Sequence, residues 1–216
     1  GEERGLDLRG FHYLPHEYNN RDVYICRGDD NEEWTPEFTY HGFRYCLVFG
    51  LDDDQVGDDT LTCLVMNTKL TERAELYTSN DMVNRIWDAT KRSDLANFFH
   101  FPTDCPHREK NGWTGDAMLS ADQFMLLFDA EKNLSEWLVS LRAAQFPDGS
   151  LPGIVPTSGW GVGFGPAWDG VIVELPYRIW LYTGDTKVIN DNSDAIFRYL
   201  KYLCGIRNRE GIILSG

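Results

Sequence analysis

The sequence has little that would connect the protein to a membrane or to a nucleic acid. No apolar run approaches the roughly 20 residues that a membrane-spanning helix needs. Basic residues are scarce, because 20 Lys and Arg stand against 34 Asp and Glu and give a formal net charge of −14. Lys and Arg supply most of the affinity for phosphate backbones, so we predict neither a nucleic-acid nor a membrane partner.

Several short motifs are also missing. The five cysteines are widely spaced and contain no C-x-x-C pair, so there is no zinc ribbon or dithiol redox motif. Their odd number does not indicate a closed disulfide framework. The amino terminus is polar, lacks a signal-peptide apolar region and lacks Met, so we expect the natural start to lie upstream. The compartment is left open.

The composition predicts a folded chain with two different halves. Of the 216 residues, 42% are hydrophobic and 13% aromatic, which is enough apolar surface to exclude disorder. Residues 1–75 have strand character, because large side chains alternate over residues 43–49 and residues 61–66 form a second β-rich run. These runs predict an antiparallel sheet. The aspartates at 52–54 and 58–59 do not have EF-hand spacing, which favours a solvated loop over a calcium site.

From Thr78 onward the apolar spacing becomes helical. Possible N-cap residues lie at 79–81, and the first apolar face is predicted to extend to Phe99. One further helix is predicted to open near residues 114–116, and others to cover 131–145 and 168–182, the latter with a kink at Pro176. A last helical region is predicted to end near Cys204. The fold class is therefore α+β. A self-sufficient α+β protein and a fragment across a domain junction near residue 75 both fit.

The segment most informative about chemistry is residues 101–116, which Pro and Gly keep irregular. Carboxylates accept hydrogen bonds from sugar hydroxyls, and a Trp ring stacks on the apolar face of a sugar. Grouped carboxylates also raise the pKa of one member, as a general acid requires. The residues of this segment that suit a sugar site are Asp104, Arg108, Glu109, Trp113 and Asp116.

Purely structural roles for these residues remain open at this stage. Asp116 could complement the N-terminus of its helix, Arg108 could form a surface ion pair, and Trp113 could belong to the core. His107 fits a hydrogen-bonding partner better than a catalyst. Cys105 has no base at a readable spacing and fits buried packing.

Residues 104–116, here called the acidic block, resemble the signature block of the α-L-rhamnosidases of glycoside hydrolase family 78. Residues 34–45 resemble the last β-sandwich segment before the catalytic barrel of that family. Residues 166–170, followed by 182–185, resemble its next barrel motif. The resemblance therefore covers residues 30–185 in the right order. It implies the C-terminal portion of a β-sandwich over residues 1–75 and the N-terminal portion of an (α/α)6 barrel over residues 76–216.

The resemblance also implies a function, the inverting hydrolysis that releases terminal α-L-rhamnose from an oligosaccharide, polysaccharide or glycoside. Glu109 occupies the position of the general acid. Asp104 and Asp116 match residues that hold the rhamnose hydroxyls, and Arg108 matches an arginine of the same subsite. Trp113 and Trp168 match aromatics of the sugar pocket, where the C6 methyl group is a natural apolar contact.

The general base of such an enzyme is expected beyond residue 216, in the rest of the parent chain. Glu174 is an internal alternative, but its apolar helical surroundings favour a structural role. The helices predicted within residues 76–216 are too few to supply the twelve helices of the barrel. We therefore expect the isolated chain to be inactive, to expose unpaired helix faces and to self-associate.

A non-hydrolytic carbohydrate-binding or interaction module is the alternative function. It would keep the pocket but lack a working acid–base pair. No organic cofactor is required for acid–base glycoside hydrolysis and no metal site is evident in the sequence. The oligomeric state is not defined by the sequence. The glycine-rich residues 160–165 lack the ending of a nucleotide-binding loop, and fit a pocket rim and a plain barrel connection equally well.

Overall fold

The computed structural model describes residues 20–157 and 159–213. The chain divides into two compact units, and among the described residues the first contains those up to Val65 together with Pro106–Arg108. The second contains Met66–Cys105 and the residues from Glu109 onward. The regular secondary structure of the described residues lies almost entirely in the second unit.

The second unit consists of helices joined by short strands and loops. Its helices are α1 (Asp81–Ala96), α2 (Thr114–Leu127), α3 (Glu131–Ala144), α4 (Pro166–Asp169), α5 (Val171–Thr183) and α6 (Lys187–Ile206). Between α1 and α2, strand β1 (Phe98–Phe99) pairs antiparallel with β2 (Phe101–Pro102). Helix α5 packs against α2, α3 and α6, and thus forms the centre of the helical layer.

The helix starts follow from local sequence. The Asn80 side chain accepts a hydrogen bond of 3.0 Å from the backbone N–H of Met82 and caps α1 as predicted. Helix α1 ends at Ala96, so the prediction that its apolar face continues to Phe99 is wrong, because Phe98 and Phe99 turn into β1. The predicted helix 168–182 is divided into α4 and α5 at Gly170, whose N–H bonds back to the Pro166 carbonyl.

The core of the second unit is apolar and formed mainly by α2, α3, α5 and α6. Leu134, Leu138 and Leu141 occupy one face of α3, at the i, i+4 and i+7 positions that bury a helix stripe. Trp137 is also buried, and its indole N–H donates to the Val155 carbonyl at 2.9 Å. Other large buried side chains are Phe98, Phe124, Met125, Phe128, Ile172, Leu175, Ile179 and Tyr199.

Several apolar side chains of the helices remain exposed. Met82 and Ile86 on α1 are each 59% exposed, and Leu119 on α2 is 83% exposed. Isolated exposed apolar residues are common, but apolar helix faces are buried in stable folds. These exposed side chains agree with the expectation that the isolated chain exposes unpaired helix faces. None of the helices in the described part of the chain is long and apolar enough to span a bilayer.

The two strands predicted for residues 43–49 and 61–66 are not formed. Between residues 20 and 65 the structure has one 3₁₀ turn (Asp53–Gln55) and no strand, and residues 43–49 are exposed. A strand is stabilised by a neighbouring strand and by an apolar surface beneath it, and two strands alone are marginal. The described part of the first unit supplies neither. The predicted sandwich end is therefore not confirmed, and residues 1–19 of that prediction lie outside the described residues.

Candidate active site

The acidic block folds as a closed loop that leads into α2. The backbone N–H of Asp104 donates to the Asn111 carbonyl at 3.0 Å, and the Asn111 N–H donates to Asp104 Oδ1 at 2.9 Å. Lys110 has a φ of +54°, in the left-handed region that turns the chain. These contacts fix Asp104 at the base of the loop and bring residue 109 back towards α2.

Glu109 is oriented by two contacts within this loop. Its Oε2 accepts a hydrogen bond of 2.8 Å from the indole Nε1 of Trp113, and its backbone N–H contacts Cys105 Sγ at 3.2 Å. The Glu109 side chain is half-buried, and Cys105 is buried as predicted. Because an indole N–H only donates, Oε2 is held as an acceptor and the second carboxyl oxygen is left for other contacts.

Asp116 lies in the first turn of α2, where the helix dipole favours a carboxylate. Its pKa is raised, first because the surrounding protein removes water from the carboxylate and second because of the negative charge of Asp104. Glu109 adds a smaller effect of the same sign. The residue as a whole is nevertheless exposed, so this desolvation is partial. The Asp116 carboxyl is therefore close enough to Asp104 and Glu109 for their charges to act on it.

Trp113 joins the acidic block to a cluster of aromatic rings. Its ring lies edge-on to Phe164, Trp160 and Trp168, with centroid distances of 4.9, 5.7 and 6.4 Å. The rings of Phe164 and Trp168 are 5.7 Å apart. A side chain at Gly115 would come within 2.8 Å of the Trp168 ring, so the glycine allows that ring to pack on the start of α2. Trp113 therefore contacts both the carboxyl group and the aromatic cluster.

Backbone pairing holds the block against the loop that follows α3. The Val155 N–H donates to the Gly112 carbonyl at 2.8 Å, and the Thr114 N–H donates to the Gly153 carbonyl at 2.8 Å. The Thr114 hydroxyl, which is buried, donates to the same carbonyl at 3.1 Å. These hydrogen bonds hold the residues on both sides of Trp113 against residues 153–155.

A polar cavity of about 120 Å³ lies beside the block. Asp104 and Asp116 are in its wall, together with Asp94 from α1 and Gln123 from α2. Its other lining residues are Ser93, Asn97, Pro102, Thr103, Ser120 and Phe124. Among the described residues, no group of three His, Cys, Asp or Glu side chains is placed to hold a metal ion. The carboxylates in the cavity wall can accept hydrogen bonds from a ligand.

Asp94 was not identified as a site residue from the sequence. It is 4% exposed, and Gln123 Nε2 donates to its Oδ1, while its Oδ2 is buried without a hydrogen-bond partner in the structure. Burial raises its pKa to about 6, against the opposing effect of the Gln123 hydrogen bond. In the sequence, Asp94 looks like an ordinary polar position of an amphipathic helix, because burial depends on packing against α2.

Asp169 is the second buried carboxyl near the cluster, directly after Trp168 in α4. It is 2% exposed, its Oδ1 has no hydrogen-bond partner among the residues that the structure describes, and burial raises its pKa to about 7. Burial also raises the pKa of Tyr199, with a further contribution from the charge of Asp169. The Tyr199 hydroxyl is likewise buried without a hydrogen-bond partner in the described part of the chain. Asp169 therefore keeps its proton in the folded protein at pH values where it is ionised in the unfolded chain.

We predict that Asp169→Asn removes a pH dependence of stability in the complete natural protein. The folded pKa of Asp169 lies above its unfolded value, so its contribution is fully present below about pH 4 and is lost as the pH rises through about 7. Between pH 5 and pH 8 the wild type should lose about 3 kcal/mol that the variant does not lose. Urea unfolding at both pH values measures this difference.

Asp129→Asn, at an exposed aspartate, is the matched control. Equal pH dependence in wild type and Asp169→Asn would show that Asp169 is not buried as described.

The remaining candidate residues have separate positions. Arg108 is exposed in the turn of residues 106–109 and belongs to the first unit. Glu174 on α5 forms an ion pair with Arg178, at 3.6 Å between Oε2 and Nε, and Arg178 also contacts Asp122 Oδ2 on α2 at 3.1 Å. This network links two helices, in agreement with the structural role expected for Glu174.

Comparison with known proteins identifies two matching family models. Residues 71–211 match the bacterial alpha-L-rhamnosidase 6 hairpin glycosidase domain. Residues 9–67 match the bacterial alpha-L-rhamnosidase concanavalin-like domain. The first match alone covers well over half of the chain, and the two matches follow one another along it.

The chain is also similar to individual proteins described as alpha-L-rhamnosidases. One from Streptomyces avermitilis is 33% identical over 84% of this chain and 18% of its own length, and one from Formosa agariphila is 30% identical over 84% and 20%. The chain thus spans about a fifth of the length of these curated relatives.

Solved structures of alpha-L-rhamnosidases are also similar to this chain. The native rhamnosidase of Aspergillus terreus has a TM-score of 0.76 and 30% identity over 85% of this chain and 22% of its own. The Streptomyces avermitilis enzyme complexed with L-rhamnose has a TM-score of 0.64 and 31% identity over 67% and 14%. The helical part of the fold therefore fits a helical barrel.

Proposed function

Because this chain belongs to the bacterial α-L-rhamnosidase family, we propose that it carries the acid side of a glycosidase active site. The reaction is the release of terminal α-L-rhamnose from an oligosaccharide, a polysaccharide or a glycoside. The observation that carries the proposal is the orientation of Glu109, whose Oε2 is held by Trp113 Nε1 at 2.8 Å. The neighbouring carboxylates of Asp104 and Asp116 line a polar cavity.

Glu109 is the general acid in this proposal. The Trp113 hydrogen bond occupies Oε2 as an acceptor, so the transferable proton resides on Oε1. As the bond between C1 of rhamnose and the glycosidic oxygen breaks, that oxygen takes the proton and leaves as an alcohol. Positive charge then develops at C1 and the ring oxygen.

Water completes the reaction from the opposite face of the ring. A second carboxylate removes one proton from the water, and the water oxygen forms the new bond to C1, which inverts its configuration. The two carboxyl groups of an inverting enzyme are roughly 6.5–9.5 Å apart, which leaves space for that water. We place this base in the parent chain beyond residue 216.

The sugar is held from two chemically different sides. Asp104 and Asp116 accept hydrogen bonds from rhamnose hydroxyls, which their position in the cavity wall supports. Trp113 and Trp168 supply apolar ring surface for the C6 methyl group, which their mutual packing supports. The L-rhamnose complex of the Streptomyces avermitilis relative supports the choice of sugar. A subsite role for Arg108 stays a prediction from the resemblance.

The same proposal assigns the two parts of the chain. Residues 1–75 form the C-terminal portion of a β-sandwich, and residues 76–216 form the N-terminal portion of an (α/α)6 barrel. The concanavalin-like match over residues 9–67 and the six-hairpin match over residues 71–211 support this division.

We predict that the complete natural protein cleaves an aryl α-L-rhamnoside at least about 100-fold faster, in kcat/KM, than the matching α-L-fucoside, β-D-glucoside or α-D-mannoside. The expected reason is that a site built to bind particular hydroxyls leaves polar groups unpaired when those hydroxyls are misplaced. Release of the aryl alcohol measures the rates, and proton NMR of the first sugar released gives its anomeric form.

Two outcomes would contradict the proposal in different ways. Release of α-L-rhamnose as the first anomer would contradict the inverting mechanism but leave the hydrolase. No cleavage by a folded protein that still binds rhamnose would favour the non-hydrolytic carbohydrate-binding module.

A further inference from the structure

Next to the acid lies an exposed loop with an unusual composition. Residues 159–165 alternate glycine with Trp160, Val162 and Phe164, and no member of the loop carries a hydroxyl, amide, carboxylate or basic group. The three large side chains are 48%, 55% and 39% exposed. Gly159, Gly161, Gly163 and Gly165 have positive φ values of 99°, 80°, 83° and 71°. The backbone therefore follows a path that only glycine adopts readily at these positions.

This loop is fixed to the protein rather than free at its centre. The Gly153 N–H donates to the Gly161 carbonyl at 2.6 Å, and the Thr157 hydroxyl donates to the Trp160 carbonyl at 2.8 Å. A side chain at Gly161 would come within 2.5 Å of Ile154, which is buried. The exposed rings are thus presented on a backbone that is already ordered, which lowers the entropy lost when a ligand binds.

The loop also has a defined position relative to the acid. Trp113 binds Glu109 through its N–H and packs edge-on against Trp160 and Phe164 with the rest of its ring. A general acid must lie within hydrogen-bonding reach of the oxygen that it protonates. In a glycosidase this oxygen belongs to the leaving group, so the leaving group must lie beside Glu109 and close to the rings around Trp113.

The polar and apolar surfaces are on separate sets of residues. None of Trp160, Val162 and Phe164 is among the residues that line the polar cavity of Asp104 and Asp116. A sugar in the leaving-group position could stack one apolar face on such a ring, but it would also need hydrogen-bonding side chains for the hydroxyls at the edge of its ring. The loop offers only ring and aliphatic surface, apart from one indole N–H. It therefore favours a flat aromatic leaving group over a second sugar.

We propose that Trp160, Val162 and Phe164 form a leaving-group platform, and that the preferred substrates are α-L-rhamnosides of aromatic alcohols. This inference rests on the proposed function, and it adds the chemical class of the group that the enzyme removes. The platform binds the aromatic ring by stacking and apolar contact, while Asp104 and Asp116 bind the hydroxyls of the rhamnose.

The test compares two substrates on the complete natural protein and on variants of the loop. One substrate is an α-L-rhamnoside of a two-ring aromatic alcohol, and the other is a disaccharide in which rhamnose is α-linked to glucose. Trp160→Ala and Phe164→Ala should each lower kcat/KM for the aryl rhamnoside about 10-fold, mainly through KM, since each removes one aromatic stacking contact with the leaving group. The disaccharide should change by less than about threefold, as expected when the truncated side chain makes a near-neutral contact with the substrate.

Two further variants separate a contact from a loss of folding. Trp160→Phe keeps an aromatic face and should recover most of the aryl rhamnoside activity. Phe197→Ala removes an exposed aromatic ring from α6, at 69% exposure, and should affect neither substrate. The thermal unfolding midpoint of each variant shows whether the substitution also lowers the stability of the folded protein.

The outcomes distinguish this inference from the function on which it rests. A selective fall on the aryl substrate that Trp160→Phe reverses would support the platform. An equal fall on both substrates, no change on the aryl substrate, or a wild type that prefers the disaccharide would overturn the platform while the rhamnosidase proposal stands. A wild type that cleaves neither substrate would overturn both.

Discussion

Glu109→Gln should lower kcat/KM of the complete protein for an unactivated α-L-rhamnoside by about 10²–10⁴-fold, the usual contribution of a positioned general acid. Gln has the same length and keeps an oxygen that can accept the Trp113 N–H at the present distance of 2.8 Å. It cannot deliver a proton to the glycosidic oxygen. The binding of rhamnose should survive, because Asp104, Asp116 and the tryptophans are unchanged.

The leaving group identifies the step that is lost. An alcohol of low pKa departs without much protonation, so an activated aryl rhamnoside should lose far less rate than an alkyl rhamnoside in the Glu109→Gln enzyme. Removal of a residue that only shapes the pocket would lower both rates equally. The ratio of the two losses therefore reports acid catalysis separately from substrate positioning.

Glu136→Gln is the matched control for this substitution. Glu136 is exposed on α3, so the same chemical change there should leave both substrates unaffected. If Glu109→Gln retained wild-type turnover of the alkyl rhamnoside, Glu109 could not be the acid. The carboxyl that protonates the leaving group would then have to be sought elsewhere in the parent chain.

The sequence predicted the helices well because the signals of a helix are local. Asn80 directly precedes α1, and the apolar residues of α2 and of α3 recur within one or two turns of their own helix. The structure has these helices where they were expected. The division at Gly170 was missed because a Gly next to an apolar run permits both a continuous and a broken helix. Here the bond from the Gly170 N–H to the Pro166 carbonyl closes α4 before α5 begins.

Strands could not be predicted with the same security, because their stability depends on residues distant in the chain. Alternation over residues 43–49 describes a segment that suits a sheet, but pairing requires another edge beside it. The candidate site shows the same distinction. The acidic block lies within a few residues and was identified from the sequence. The Trp113 contact with Glu109 also spans only four residues, but the structure was needed to find it. The burial of Asp94 and Asp169 arises from packing between helices and was not.

Gly112→Ala is expected to lower the free energy of unfolding by about 5 kcal/mol or more, or to prevent folding, as overpacking against fixed backbone does in its extreme cases. A methyl group at Gly112 would lie 2.0 Å from the Val155 carbonyl oxygen and 3.1 Å from the Phe101 ring. The carbonyl cannot move away easily. It accepts the buried Trp137 indole N–H at 2.9 Å, and the Val155 N–H is bonded to Gly112 itself at 2.8 Å.

The same variant tests how the site is positioned. Gly112 lies between Glu109 and Trp113, so displacing it separates the acid from its hydrogen-bond donor and from the loop that presents Trp160.

Gly205→Ala is the matched control, because a methyl group there meets nothing within 4 Å and lies in the last turn of α6. Replacing a helical Gly by Ala should leave stability unchanged or raise it by up to about 1 kcal/mol. Urea unfolding and rhamnoside cleavage of the two variants therefore should diverge. A Gly112→Ala protein as stable and active as wild type would mean that the acidic block and residues 153–155 are not in direct backbone contact, and that Trp113 must be held in place by the aromatic cluster alone.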